Sequence, residues 1–343
     1  MNNPKLNPPI FIVGCGRSGT TLLLRISGKH KNIYAIEEES HLFVNYKTMV
    51  FLYYELFEKN KDFENLTLSI LTTMFFNVDA SAIITRSRKF PQEVVQLFNE
   101  IKQQNDFKNL TDKYEIFNLC SRYLTIKEGK ERWVEKTPNN IHSIPYILSL
   151  YPDAKIVEIY RDPRAVSYSW LNAKQDFFRT SNLIQCIQTW RQAIGRGEVL
   201  ANKIPDKYYQ IKYENLINSP EQELKKLCYF LHEDFDPQML DTKVVNSFFE
   251  DSEHQIGFSK APVERWKKLL SRNELIFIDL LTKKYRKKLG YEDSGAKLTL
   301  FNFFPFIAFV IRKCMQGRRQ LYFYFRFHLK RFTNIFNKCF FKT

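Results

Sequence analysis

The chain of 343 residues has no C-x-x-C pair and no H-E-x-x-H motif. Its six cysteines (Cys15, Cys120, Cys186, Cys228, Cys314 and Cys339) are scattered, which argues against a zinc ribbon and against a disulfide scaffold. The six histidines form no ligand pair, so no metal site is expected. No apolar run reaches the about 20 residues that a membrane-spanning helix needs. Residues 1–9 are polar and proline-rich rather than a hydrophobic leader. A cytoplasmic protein, soluble or peripheral at the inner membrane face, is therefore expected. Acid is missing from one end of the chain. Residues 298–343 hold nine of the 52 Lys/Arg, none of the 37 Asp/Glu and twelve of the 31 Phe. Of the net charge of +15, only +6 is left for the first 297 residues.

What is present suits a large α/β domain. Apolar residues make up 44% of the chain, enough for a substantial core. Residues 9–13 read as a buried parallel strand, and Thr20 to Lys29 as the helix after it. Residues 46–127 show helical periodicity rich in Phe and Leu and read as a helical insertion. Short strands are expected at Arg132–Val134, Ala154–Tyr160 and Tyr208–Tyr213. Helices are expected at Asn140–Leu150, from Asp162-Pro163 onward, at Ser181–Asn202, from a capping box at Ser219 to His232, and through Glu264–Leu289. Gly290 suits the C-terminal cap of the last of these. Strands alternating with helices predict a parallel sheet covered on both faces.

The stretch "PIFIVGCGRSGTTL" (residues 9–22) is the strongest local signal. A strand, a glycine loop and a helix aim backbone N–H groups and a helix dipole at one point, which suits a phosphate or sulfate. Gly14-x-Gly16-x-x-Gly19 fits the dinucleotide fingerprint, with Glu37, Glu38 and Glu39 near the expected ribose-binding position. Gly14-x-x-x-x-Gly19 followed by Thr20 and Thr21 fits the triphosphate loop, but Thr20 stands where that loop has its lysine.

A third pattern uses more of the chain. "GCGRSGTTLLLRI" resembles the 5′-phosphosulfate-binding loop of sulfotransferases that use 3′-phosphoadenosine 5′-phosphosulfate (PAPS), with Gly16, Arg17, Ser18, Gly19, Thr20 and Thr21 on the motif. "IVEIYRDPRAVSYSW" resembles the family's 3′-phosphate motif. There Arg161 at a strand end and Ser169 eight residues on supply a guanidinium and a hydroxyl. The resemblance spans roughly residues 9–291. It implies a P-loop NTPase-like three-layer α/β fold with a central parallel sheet, a helical insertion and a helical C-terminal extension. It also implies PAPS as co-substrate, no metal, and a hydroxyl acceptor on a glycan, glycolipid or peptide.

The same resemblance nominates groups for the chemistry. "EEESHLF" is similar to the segment whose glutamate is the general base, which implies Glu39, with Glu38 next in line. Three adjacent glutamates also repel, which raises at least one carboxyl pKa. "WVEKTP" implies Lys136 near the transferring sulfonate. Tyr213 in "IKYENL" matches a tyrosine near the nucleotide in the tyrosylprotein branch, and Arg265 in "VERWKKLLS" a basic contact just before tryptophan. Ala173 departs from that branch, which has a second basic residue there. His41 and His142 read as packing or capping histidines.

Residues 1–297 thus read as the sulfotransferase domain, with residues 46–127 lining the acceptor site. The basic, aromatic tail 298–343 begins with the apolar "LFNFFPFIAFVI" (residues 300–311). Its mixture of cations and bulky apolar groups suits an anionic membrane surface rather than nucleic acid.

Overall fold

Ile10-Phe-Ile-Val-Gly14 is apolar throughout, so it suits a strand covered on both faces. The computed structural model describes residues 5–43, 54, 55, 57–75, 90–173, 182–241, 258, 260–313 and 315. In it this segment is the central strand β1 (Ile10–Gly14) of a five-stranded sheet. The others are β2 (Ile33–Ala35), β3 (Arg132–Lys136), β4 (Lys155–Tyr160) and β5 (Tyr208–Lys212), in the order β2-β3-β1-β4-β5. All four pairings are parallel, so the C-terminal ends of the strands share one edge.

Alternation along β1 divides the core. Phe11 and Val13 join one buried cluster with Trp133, Ile156 and Trp190. Ile10 and Ile12 join the other with Leu23, Val134, Val157 and Ile211. Helix α1 (Thr20–Gly28) and, beyond β5, two helices whose buried Leu216 and Leu224 join the second cluster cover that face. The opposite face is covered largely by chain inserted between β2 and β3. Its helices are α2 (Phe63–Phe75), α3 (Gln92–Lys102) and α4 (Lys113–Lys127). Helix α5 (Ile144–Leu150) joins them. After β4 come α6 (Pro163–Leu171) and α7 (Leu183–Lys203), the latter packing Trp190 into the same cluster. The two helices after β5 are α8 (Tyr213–Asn218) and α9 (Pro220–Leu231).

Several expected boundaries shift for identifiable reasons. The single helix expected over 264–289 is two, α10 (Ala261–Leu269) and α11 (Arg272–Lys288). Ser271 and Glu274 form a capping box that starts the second one, and Leu270 before it is extended. The box expected at Ser219 does not form; its side chain makes no cap hydrogen bond, and Pro220 opens α9. A capping box forms instead at Asn182 and Gln185, at the start of α7. Residues 140–150 begin as a short 3₁₀ turn, Pro138–His142, before α5. The Asp162 cap holds as expected, its carboxylate accepting from Arg164 N at 2.8 Å. Gly290 caps α11 at φ 71°, the left-handed conformation that glycine takes without strain. Beyond it, residues 300–313 form a further helix, α12.

Candidate active site

Every nominated residue except Arg265 follows the C-terminal end of a strand. Residues 16–21 follow β1, Glu38 and Glu39 follow β2, and Lys136 ends β3. Arg161 and Ser169 follow β4, and Tyr213 follows β5. Ligands of open parallel sheets bind at this edge.

The loop after β1 bends sharply, and two glycines permit it. Gly14 sits at φ 143°, where a Cβ would lie 2.5 Å from Ile159 O. Gly19 sits at φ 103°, where a Cβ would lie 2.6 Å from the Tyr213 ring. Arg17 itself is left-handed at φ 70°, and Ser18 N donates to Cys15 O at 3.2 Å. Thr20 is buried at the start of α1, whereas Thr21 is exposed. Gly16 faces Trp170.

The two motifs converge here. Arg17 Nε donates to Ser169 Oγ at 3.0 Å across 152 residues of sequence. Arg161 Nη1 donates to the Arg17 carbonyl at 3.2 Å, and Nη2 to the Pro262 carbonyl. The Arg161 guanidinium lies 4.3 Å from the Tyr213 ring centroid. Arg161 is buried, and among the described residues no carboxylate pairs with it; its Nε has no hydrogen-bond partner. Ser18 Oγ is likewise buried without a partner. Burial and the neighbouring Arg161 charge pull the Arg17 pKa down to about 10. Two guanidiniums held together in a poorly solvated place favour an anion between or beside them. Tyr213 is pushed up by burial, against the pull of the Arg161 and Arg265 charges. That coupling links Arg265, on α10, to the group.

A second group lies at the ends of β2 and β3. Lys136 Nζ donates to Glu39 Oε1 at 2.8 Å, and His41 Nε2 lies 3.7 Å from Glu39 Oε2. Lys136 is 6% exposed and Glu39 32%, so the carboxylate is the half open to an incoming group. His41 adopts φ 51°, and burial lowers its pKa. Glu38 is raised mainly by burial, with Lys136 opposing and Glu39 and Glu37 adding to it. Its backbone N–H meets Met74 O at 3.4 Å, which ties this segment to the inserted helix α2.

Sequence reasoning passed over Glu135. It is fully buried and gathers Ser40 N at 3.2 Å, Ser40 Oγ at 2.8 Å, Thr137 Oγ1 at 2.5 Å and Asn140 Nδ2 at 2.9 Å. Ser40 adjoins Glu39 and Glu135 adjoins Lys136, so this carboxylate fastens the two chain segments that bring Glu39 to Lys136. The available signal was an acid directly after Trp133-Val134 in a strand buried along its whole length. Glu135→Gln would turn an amide donor toward donors and should cost about 1–3 kcal/mol of stability. An unchanged urea midpoint would remove the role.

Arg164 was also missed. It pairs with Asp162 at 2.6 Å, lies 3.6 Å from Asp279, and stacks 4.0 Å from the Trp266 ring centroid. It thereby fixes α6, which carries Ser169, against α10, which carries Arg265.

A protein-family model described as the sulfotransferase family matches residues 8–237. The chain belongs to the sulfotransferase family. Among similar proteins, one from Caenorhabditis briggsae assigned to the protein-tyrosine sulfotransferases is 24% identical over 298 residues, covering 84% of this chain and 90% of that one. The omega-hydroxy-beta-dihydromenaquinone-9 sulfotransferase Stf3 of Mycobacterium bovis is 22% identical, covering 78% and 75%. In fold, the chain is similar to the sulfotransferase domain of the Synechococcus PCC 7002 olefin synthase. The TM-score is 0.56 at 19% identity, covering 85% of this chain and 98% of that one. The sulfotransferase is thus a three-layer α/β enzyme with a P-loop-like parallel sheet. No group of three or more metal-ligating side chains is present among the described residues.

Proposed function

We propose that this sulfotransferase takes its sulfuryl group from PAPS and delivers it to a hydroxyl on a glycan or glycolipid. The observation that carries the donor assignment is the meeting of Arg17, Ser169 and Arg161, with the partnerless Arg161 Nε and Ser18 Oγ. A nucleotide with a 3′-phosphate and a 5′-phosphosulfate supplies the anions that such a cluster would hold. Residues 16–21 would hold the 5′ end, and Arg161 and Ser169 the 3′-phosphate. Tyr213 and Arg265 would flank the nucleotide. PAPS contributes an activated sulfuryl group. Glu39 would take the proton of the acceptor hydroxyl, and Lys136 would stabilise charge as the bond to sulfur exchanges.

The inserted helices reach the base segment through Met74, which supports their lining the acceptor site. The name of the mycobacterial relative includes a lipid alcohol as acceptor, which supports a lipid-borne hydroxyl here. A peptide tyrosine is the second reading. It is favoured by the similarity to proteins named protein-tyrosine sulfotransferases. The acid-free tail would add an anionic membrane surface as partner.

Calorimetry with 3′,5′-adenosine bisphosphate tests the donor assignment. The wild type should bind it. Arg161→Ala should bind more weakly by about 1.5–3 kcal/mol, the range of charge-assisted hydrogen bonds. No heat with the wild type would sink the scheme, and an unaffected variant would remove Arg161 from it.

A further inference from the structure

Helix α12 is apolar on both sides. One stripe, Phe306 and Phe309, is 6% and 7% exposed. It packs on Phe277 of α11 at ring-centroid distances of 6.5 and 5.9 Å, in a cluster with Ala165, Ile187 and Trp266. The other stripe, Leu300, Phe304, Ile307 and Ile311, follows the i, i+4, i+7, i+11 spacing of one helical face and is exposed. Leu300 and Phe304 are 92% and 79% exposed, and Phe301 beside them 98%. A helix of this composition normally has its whole circumference covered. At 14 residues it is about 21 Å long, short of the about 30 Å of a bilayer core. Among the described residues no helix is long and apolar enough to cross a membrane.

Charge selects what covers this face. The stripe opens a stretch with nine Lys/Arg and no Asp/Glu; Lys297 precedes the helix, and Arg312 and Lys313 lie in its last turn. A second copy docked on this face would add another acid-free stretch with nine Lys/Arg and no carboxylate to oppose them. An anionic lipid surface offers acyl chains to the Phe and Leu side chains and headgroups to the cations. We infer that the outer stripe of α12 lies in the interface of an anionic bilayer and seats the enzyme on it. Through Phe277 and Trp266 the seat is continuous with α6 and α10, the helices that carry Ser169 and Arg265. The orientation of the donor site toward the membrane is thereby fixed. The consequence for the acceptor, a hydroxyl borne at the membrane, rests on the sulfuryl-transfer reading; the docking surface does not.

Flotation of the full chain with phosphatidylcholine vesicles, with and without phosphatidylglycerol, tests the inference. The wild type should float with the anionic vesicles and at least tenfold less with neutral ones. The triple variant Leu300→Ser/Phe301→Ser/Phe304→Ser should lose most of that flotation while binding 3′,5′-adenosine bisphosphate as the wild type does. A wild type that stays at the bottom of the gradient overturns the inference, as does a triple variant that floats unchanged. So does a wild-type dimer that the triple variant dissolves. Loss of bisphosphate binding by the wild type would strike the donor assignment instead and leave the flotation result standing.

Discussion

Glu39→Gln should lower kcat by about 10²- to 10⁴-fold, the range expected for losing a general base. Binding of 3′,5′-adenosine bisphosphate should remain within twofold, because Glu39 lies outside the Arg17, Ser169 and Arg161 cluster. Glutamine fills the same space and can still accept from Lys136, so the loss would report the missing proton acceptor rather than a collapsed site. Glu38→Gln is the necessary partner experiment. Of the two adjacent carboxylates, only Glu39 reaches Lys136 at 2.8 Å by hydrogen bond, and it also faces His41 at 3.7 Å. Glu38 should therefore lose little. Single-turnover sulfuryl transfer measures both variants. A larger loss at Glu38 would move the base by one residue, and no loss at either would remove a carboxylate from the mechanism.

The parts legible in the sequence were those written locally. The loop 14–21 and the strand end at Arg161 carry their glycines, hydroxyls and guanidiniums in short local motifs, and the sheet that joins them follows from alternating strands and helices. Arg17 meets Ser169 because both segments end at one sheet edge, a contact found in the structure. The remainder depends on contacts between distant residues. Glu135 gains its role from Ser40, 95 residues away, and Arg164 from Asp279 and Trp266. Neither partner is marked by spacing. The break between α10 and α11 was written locally, as Ser271 with Glu274, but helical periodicity on both sides hid it. For residues 46–127, periodicity indicated helices, yet it could not tell that Met74 would meet Glu38. The tail posed the same problem in reverse. Its composition pointed to a membrane, but only the burial of Phe306 and Phe309 showed which stripe of α12 was already taken.

Glu158 makes the last prediction, one of stability against pH. It stands mid-strand in β4, paired in register with Val13, and is fully buried. It accepts from Tyr208 Oη at 2.9 Å and Gln210 Nε2 at 2.6 Å. A Cβ at Gly197 would collide with this carboxylate, which explains a glycine in the interior of α7 despite its low helix propensity. Burial outweighs the two hydrogen bonds and raises the pKa from 4.5 to about 7. Below pH 4.5 the group is protonated both folded and unfolded and makes no difference. Between pH 4.5 and about 7 the unfolded chain has released a proton that the folded chain still holds, so stability falls as pH rises. Above that the loss is complete, about 3 kcal/mol at about 1.4 kcal/mol per pH unit. Glu158→Gln has no proton to lose. Urea titrations of both proteins from pH 4.5 to 8 should show the variant gaining on the wild type by about that amount. Parallel stability curves would mean that Glu158 titrates alike in both states. The expected fall would couple β4, the strand that leads into Arg161, to the charge of the carboxylate inside it.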